Sequence, residues 1–259
     1  MSIEESLADL IGGPAPGRIS DATALGTGLA DGFDFYESAV GRVVVTFNPA
    51  GVSSVTLAEE DYESYFEERF GRPLLRAEAP SAWGKLIPER LEAGSPGKLP
   101  VDLRSVTPFQ ARVLNQAARI PRGEVRPYGW LARKVGNAGA ARAVGSTMAR
   151  NPVPLIIPCH RVVRSDGHIG AYSLGGADRK WKLLTTEGAT PASLEQLAGR
   201  NVRYLANTST GIFCHPTCRA IRRSKAENVV ELRSAGDATA KGYRPCHLCE
   251  PPGGITLPS

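Results

Sequence analysis

Five cysteines hold most of the chemistry open to this chain. One stands alone: Cys159, followed directly by His160. The others form two close pairs, Cys214/Cys218 and Cys246/Cys249, with 27 residues between the pairs. A thiol beside an imidazole has the parts of an activated nucleophile, because the thiolate is the attacking form. Taken alone, such a pair is more often a buried structural cysteine, and its flanks must decide. The two close pairs read differently. Four thiolates at this spacing suit a closed tetrahedral zinc site formed by Cys214, Cys218, Cys246 and Cys249. His215 and His247 are candidate substitute ligands that a complete four-cysteine sphere does not need.

The elements around Cys159 are legible. Residues 153–157 (VPLII) form an apolar run that predicts a buried strand, stopped by Pro158, which cannot donate to a ladder. Upstream, Thr107-Pro108-Phe109-Gln110 predicts a capping box with proline at the first helical position. Phe109, Val113, Leu114, Ala117 and Ala118 then share one face. Tyr128 to Val135 reads as a second short helix closed by Gly136, and 139–149 as a third, stopped at Asn151-Pro152. Two short helices joined through glycine suggest a helix-turn-helix, although many helix pairs never meet DNA. The third helix is dominated by Ala and Gly, with Arg142 the long side chain of its first half, so its backbone could approach a groove closely.

Charge is distributed unevenly. Residues 1–100 hold 8 Lys+Arg against 16 Asp+Glu, 101–197 hold 14 against 6, and 198–259 hold 9 against 4. The basic surplus behind residue 100 suits a polyanionic partner. No apolar run approaches the ~20 residues of a membrane span, and no signal pattern opens the chain. The expectation is a cytoplasmic protein with no membrane partner, whose cysteines stay reduced. In the acidic front, residues 1–30 read as an extension. Residues 42–47 and 52–57 predict a hairpin with a four-residue loop, and Tyr62, Tyr65, Phe66 and Phe70 predict a helix stopped by Gly71. Residues 94–100 read as a linker.

The run 121–161, with Tyr128, Arg142, Asn151 and Pro158-Cys159-His160-Arg161, resembles the O6-alkylguanine-DNA alkyltransferases. So do Val162 through Ser173, Gly175-Gly176, Lys180, Leu183-Leu184 and Glu187-Gly188. The resemblance implies a ribonuclease H-like domain ahead of a helix-turn-helix alkyltransferase domain. It also implies direct transfer of an alkyl group from O6-alkylguanine, and in some relatives O4-alkylthymine, to Cys159. His160 would activate the thiol through a water, and Glu187 would orient His160, in the logic of a nucleophile–base–acid triad. Asn151 would tie the strand and helix beside the thiol. Tyr172 would donate to the leaving base, and Ser173 would contact the alkylated oxygen. The lesion must be flipped out of its stack. Arg142 would fill the gap and Tyr128 would turn the 3′ phosphate, with the helices in the minor groove. Transfer would be irreversible, once per molecule, with no organic cofactor.

Gly211 to Cys218 and Gly242 to Cys249 resemble the N-terminal zinc domain of the bacterial adaptive-response protein Ada. That resemblance implies one Zn2+. It also makes Cys214 either ligand and second acceptor, for methylphosphotriesters, or ligand alone.

The expected fold is mixed α/β: an extension over 1–30, a scaffold domain over 31–100, an alkyltransferase domain over 101–190 and a zinc domain over 198–253. The expected partner is double-stranded DNA containing alkylated bases, met by a monomer. The competing reading is a damage-binding or zinc DNA-binding protein without transfer.

Overall fold

The computed structural model describes residues 17–59 and 61–253. It is a mixed α/β structure. Of the stretch read as an extension, residues 1–16 lie outside the described residues. Gly17–Thr27 is a helix, α1, that runs into the first strand. Strands β1 (Asp31–Ser38), β2 (Gly41–Asn48), β3 (Gly51–Leu57) and β4 (Leu74–Arg76) form a sheet of order β3-β2-β1-β4. The first three are an antiparallel meander, and β4 lies parallel to β1. The hairpin is tighter than its sequence suggested. Asn48 pairs with Gly51, leaving only Pro49-Ala50 as the turn. Gly51 is required there: its φ is 137°, and a Cβ would lie 2.5 Å from the Pro100 carbonyl oxygen.

Helix α2 (Tyr62–Phe70) ends on Gly71 in the left-handed conformation, as read from the sequence. It buries Phe66, while Tyr62 stacks on Phe33 and Phe35. Short helices α3 (Ser81–Gly84) and α4 (Leu86–Ala93) follow. Residues 94–100 are not a loose tether. Leu99 is buried, Val52 N–H donates to Pro100 O at 2.9 Å, and Asp102 N–H donates to Val52 O at 2.8 Å. A buried polar cluster continues this seam. Asn48 Nδ2 donates to Asp31 and Asp102, Ser53 Oγ to Asp31, and Arg104 holds the Asp102 carboxyl well below the usual carboxylate range.

Helix α5 (Pro108–Ala117) opens with the full capping box: Gln110 N–H donates to Thr107 Oγ1, and Thr107 N–H to Gln110 Oε1. β5 (Arg126–Pro127), α6 (Tyr128–Lys134) and α7 (Ala141–Ala149) come next. A 3-10 turn (Cys159–Arg161), β6 (Val162–Val163) and α8 (Gly176–Thr186) complete the middle of the chain. One hydrophobic core spans this region and the front sheet. It joins Val43, Val45 and Val55 to Leu114, Leu131, Val144, Ile156 and Cys159.

Helix α9 (Pro191–Gly199) leads to a four-stranded sheet of order β10-β8-β7-β9. Its strands are β7 (Tyr204–Asn207), β8 (Ile212–Cys214), β9 (Val229–Leu232) and β10 (Arg244–Pro245). Helices α10 (Arg219–Arg222) and α11 (Ala235–Ala240) cover it. Its apolar clusters are small, and the four cysteines make up most of one of them. No described helix is long and apolar enough to cross a membrane.

Candidate functional site

The segment ahead of Cys159 is buried, as its composition predicts, but it is not a strand. Residues 153–157 form a compact turn: Ile157 N–H donates to Val153 O at 2.9 Å, and Leu155 takes φ 71°. The reason lies in the prolines. Pro152, Pro154 and Pro158 remove three backbone donors from a stretch that would need them for a ladder. The side chain of Asn151 supplies the missing order. Its Oδ1 accepts from Val153 N–H at 3.0 Å, and its Nδ2 donates to Ile157 O at 2.8 Å. Asn151 therefore ties the turn to the end of α7, and Val55 N–H of β3 donates to Pro152 O from outside.

Cys159 opens the 3-10 turn that follows, with its own N–H donating to Ile157 O. It is 4% exposed, and His160 and Arg161 are each 1% exposed. His160 Nε2 lies 2.9 Å from Glu187 Oε1, at the C-cap of α8. Arg161 grips the same carboxylate with both arms: Nε to Oε2 at 2.8 Å and Nη2 to Oε1 at 2.7 Å. It also donates to the carbonyls of Ala93, Gly94 and Ile120, each at 2.8 Å. Gly94 stands where any side chain would collide with this guanidinium.

The electrostatics follow from burial set against partners. Burial alone would raise the Glu187 carboxyl, but the hydrogen bonds from His160 and Arg161 outweigh it and hold it at about 2. Glu187 is therefore an ionised acceptor, which places the proton of neutral His160 on Nε2 and leaves Nδ1 as a lone-pair nitrogen. Nδ1 is buried and has no hydrogen-bond partner among the described residues. Burial pushes His160 below its ordinary value, with Glu187 opposing. Burial pushes the Cys159 thiol up, with Asn151, Lys180 and nearby backbone amides opposing.

The other expected residues sit around this centre. Tyr172 is buried, edge-on to His160 with ring centroids 6.1 Å apart, and its Oη has no hydrogen-bond partner among the described residues. Burial and the neighbouring Cys159 raise it well above the usual tyrosine range. Tyr128 begins α6, half-buried, its pKa raised by burial and by Cys159. Ser173 is exposed and shares a cavity with Asn151, Pro154, Tyr62 and Tyr65. Arg142 lies exposed in the first turn of α7 with no acidic partner among the described residues.

Two residues of the site escaped assignment. Arg161 stands four residues beyond Ile157, the end of the apolar run, where its charge alone reads as a surface group. Lys180 is fully buried on α8, donating to Val162 O and Ile169 O at 2.7 Å, its pKa lowered to about 8 by burial. Its position one helical turn before Leu183 and Leu184 marks it as inward-facing.

The second cluster is built from β8, the start of α10 and the loop after β10. The sulfurs of Cys214, Cys218, Cys246 and Cys249 all lie within 4.8 Å of one another, buried and free of disulfides. Tetrahedral zinc, with Zn–S bonds of about 2.3 Å, needs sulfurs about 3.8 Å apart, and this set fits. The thiols compete for charge: contacts with Cys218 and Cys249 push Cys214 up, while contacts with Cys214 and Cys249 pull Cys218 down. A dication at the centre would relieve that competition.

The module is docked on the middle of the chain. Val125 N–H donates to Thr217 Oγ1 at 2.8 Å, and Trp130 Nε1 to Cys249 O at 2.9 Å. Arg219 N–H donates to Glu124, and Lys134 pairs with Glu250.

Comparisons with known proteins agree with this division. Residues 108–189 match the family described as 6-O-methylguanine DNA methyltransferase, DNA binding domain, and residues 198–252 match the metal binding domain of Ada. A methylated-DNA--protein-cysteine methyltransferase of Mycolicibacterium paratuberculosis is 46% identical over 95 residues, covering 36% of this chain and 56% of the relative. The match to the Mycobacterium leprae protein of that name, at 49% identity, covers 31% and 48%. The chain thus spans about half the length of these curated relatives. It spans more of the Shigella flexneri protein of the same name: 39% identity, covering 39% of this chain and 68% of that one. The crystal structure of Mycobacterium tuberculosis OGT in complex with DNA superimposes with a TM-score of 0.50 at 32% identity, over 63% of this chain and 97% of that one. By sequence, by fold and by the surroundings of Cys159, the chain belongs to the methylated-DNA--protein-cysteine methyltransferase family, with an Ada-type metal-binding domain joined behind it.

Proposed function

We propose that this protein repairs DNA by moving the alkyl group of O6-alkylguanine onto Cys159, once per molecule. The observation that carries the reading is the buried pair next in sequence to the thiol: ionised Glu187 fixes Nε2–H of His160, the residue after Cys159, and leaves its Nδ1 with no partner among the described residues. Nδ1 takes the thiol proton, directly or through one water. The sulfur then attacks the alkyl carbon; the S–C bond forms as the C–O6 bond breaks, and the electron pair returns to the guanine. Tyr172 Oη donates to the leaving base, Ser173 contacts its oxygen, and Asn151 holds the turn that carries the nucleophile. At rest the raised thiol and lowered imidazole form an uncharged pair, and Lys180 lends positive charge as the thiolate develops. The S-alkyl thioether is stable and is not returned to the free thiol, so the protein is consumed.

In this reading the front sheet, residues 31–100, is a ribonuclease H-like scaffold, with residues 1–30 a leading segment. Helices α6 and α7 form a helix-turn-helix, within residues 101–190, that meets duplex DNA through the minor groove. Arg142 fills the stack vacated by the flipped base and Tyr128 turns the 3′ phosphate, as a monomer in the cytoplasm. Residues 198–253 hold one zinc ion on Cys214, Cys218, Cys246 and Cys249, which supplies structural cross-linking when bound. Cys214 is 1% exposed. We assign it as a ligand, and the phosphotriester role rests on resemblance alone.

The test is direct. The protein is incubated with duplex DNA containing O6-methylguanine and the tryptic peptide holding Cys159 is weighed. A gain of one methylene is expected. An unchanged peptide, with tight binding to the lesion retained, would establish the non-transferring alternative.

A further inference from the structure

Between α6 and the metal-binding module runs a groove that neither part possesses alone. Trp130, Arg133 and Lys134 line one wall; Arg244, His247 and Glu250 line the other. Both walls are fixed, because Trp130 Nε1 donates to the carbonyl of Cys249, one of the four clustered cysteines. Three cations and a histidine thus face one carboxylate, and Lys134 is already paired with that carboxylate. Arg133 and Arg244 have no acidic partner among the described residues; the Arg133 guanidinium donates only to Gly129 O of its own helix, at 3.3 Å. Partial burial lowers the Arg133 pKa, the mark of a cation short of counter-charge.

We propose that this groove is a DNA-backbone site in which Arg133 and Arg244 hold successive phosphates beyond the reach of the alkyltransferase domain itself. The inference rests on the DNA-repair reading above and extends it. Arg133 shares α6 with Tyr128, five residues on, about 7–8 Å along the helix axis and about 140° around it. The groove therefore takes backbone that has passed round α6 from the phosphate turned by Tyr128. The aromatic ring of Trp130, beneath the cations of Lys134 and Arg126, gives the groove an apolar floor. The module's function is then to widen the footprint on DNA, a role that leaves its cysteines free to serve as ligands.

The experiment uses the full zinc-loaded protein and an unmodified duplex, with affinity measured by fluorescence anisotropy across a salt series. Each lost phosphate contact lowers the slope of log K against log salt by about 0.9, so R133A/R244A should lower it by about 2 and weaken binding by about an order of magnitude at 0.15 M salt. R133K/R244K should keep the slope, because the charges remain. Melting temperature and zinc content confirm that each variant is folded. A wild-type slope in the alanine variant would overturn the groove and leave the repair reading standing. Failure of the wild-type protein to bind duplex, with or without O6-methylguanine, would overturn the repair reading and the groove with it.

Discussion

The molecule solves the problem of a buried thiol twice, in opposite ways. At Cys159 a single sulfur is surrounded by groups that are not cysteines: His160, Glu187, Arg161 and Lys180, drawn from the 3-10 turn and α8. In the C-terminal module four sulfurs crowd within 4.8 Å and look to each other and to a metal for compensation. In the proposed reading the first arrangement holds its sulfur as a raised thiol and offers His160 as its base, so charge appears only on use. In the same reading the second holds its charge permanently, against a metal that keeps the module folded. A reactive thiol and a structural thiol differ here less in burial, which is near complete for both, than in whether their counter-charge is polarisable or fixed.

The largest test of that contrast is to empty the second site. Cys218→Ser removes a ligand, and structural zinc contributes on the order of 10 kcal/mol to modules of this kind, more than its small clusters can replace. Hydrogen exchange over residues 198–252 should then approach unfolded rates, while methyl uptake at Cys159 persists. Loss of uptake as well would show that the two sites act as one.

Glu187→Gln strikes the first site. It leaves Arg161 buried without its counter-charge, at a cost of about 3–5 kcal/mol. It also removes the acid that orients His160, slowing transfer by about 10²–10⁴-fold. Urea melts and single-turnover transfer measure the two effects separately, and an unchanged rate would remove the relay from the mechanism.

Acid should separate the regions more gently. The Glu187 carboxyl is lowered from 4.5 to about 2 in the folded protein. Its stabilisation, about 3 kcal/mol, is therefore present above pH 4.5 and lost as the pH falls toward 2. His160, held below its ordinary value, adds a loss that begins under about pH 6.5, where the unfolded chain takes up the proton first. Stability curves of wild type and E187Q should converge below pH 4.5; parallel curves would place the acid sensitivity elsewhere.

The smallest effect expected is at the seam. Trp130→Phe keeps an aromatic six-membered ring but deletes the donor to Cys249 O, costing about 1 kcal/mol for the hydrogen bond besides the packing lost with the smaller side chain. Zinc should pass to a chelator a few-fold faster, on the scale of that energy, with transfer at Cys159 unaltered. An unchanged release rate would mean that the docking hydrogen bond does not bear on the metal site.

Much of this was legible in the sequence where a local rule had no competitor. The Thr107–Gln110 capping box, the Gly71 stop and the grouping of four cysteines each depend on contacts a few residues apart or on a fixed ligand count. What was hidden depended on distant partners. Strand β1 carries Asp31, whose burial makes sense only once Arg72, Asn48 and Ser53 arrive to bond it. The run 153–157 has the composition of a strand, yet its prolines hand the backbone to Asn151 and leave a turn. The helical spacing of Lys180 could mark it as inward-facing, but the acceptors of Lys180 and Arg161, carbonyls of other segments and for Arg161 also the Glu187 carboxylate, lie too far along the chain to be read locally.

The single bond from Val55 N–H to Pro152 O has a consequence for how the molecule is made. Synthesis runs from the N-terminus, and earlier segments fold first. The strand pairings inside the β1–β3 meander are local and can form as it emerges, so its edge donor is waiting when residues 151–161 leave the ribosome. The acceptor turn is thus cast against a finished surface. A circular permutant starting near residue 101 would reverse that order, releasing the nucleophile before the sheet that seats it.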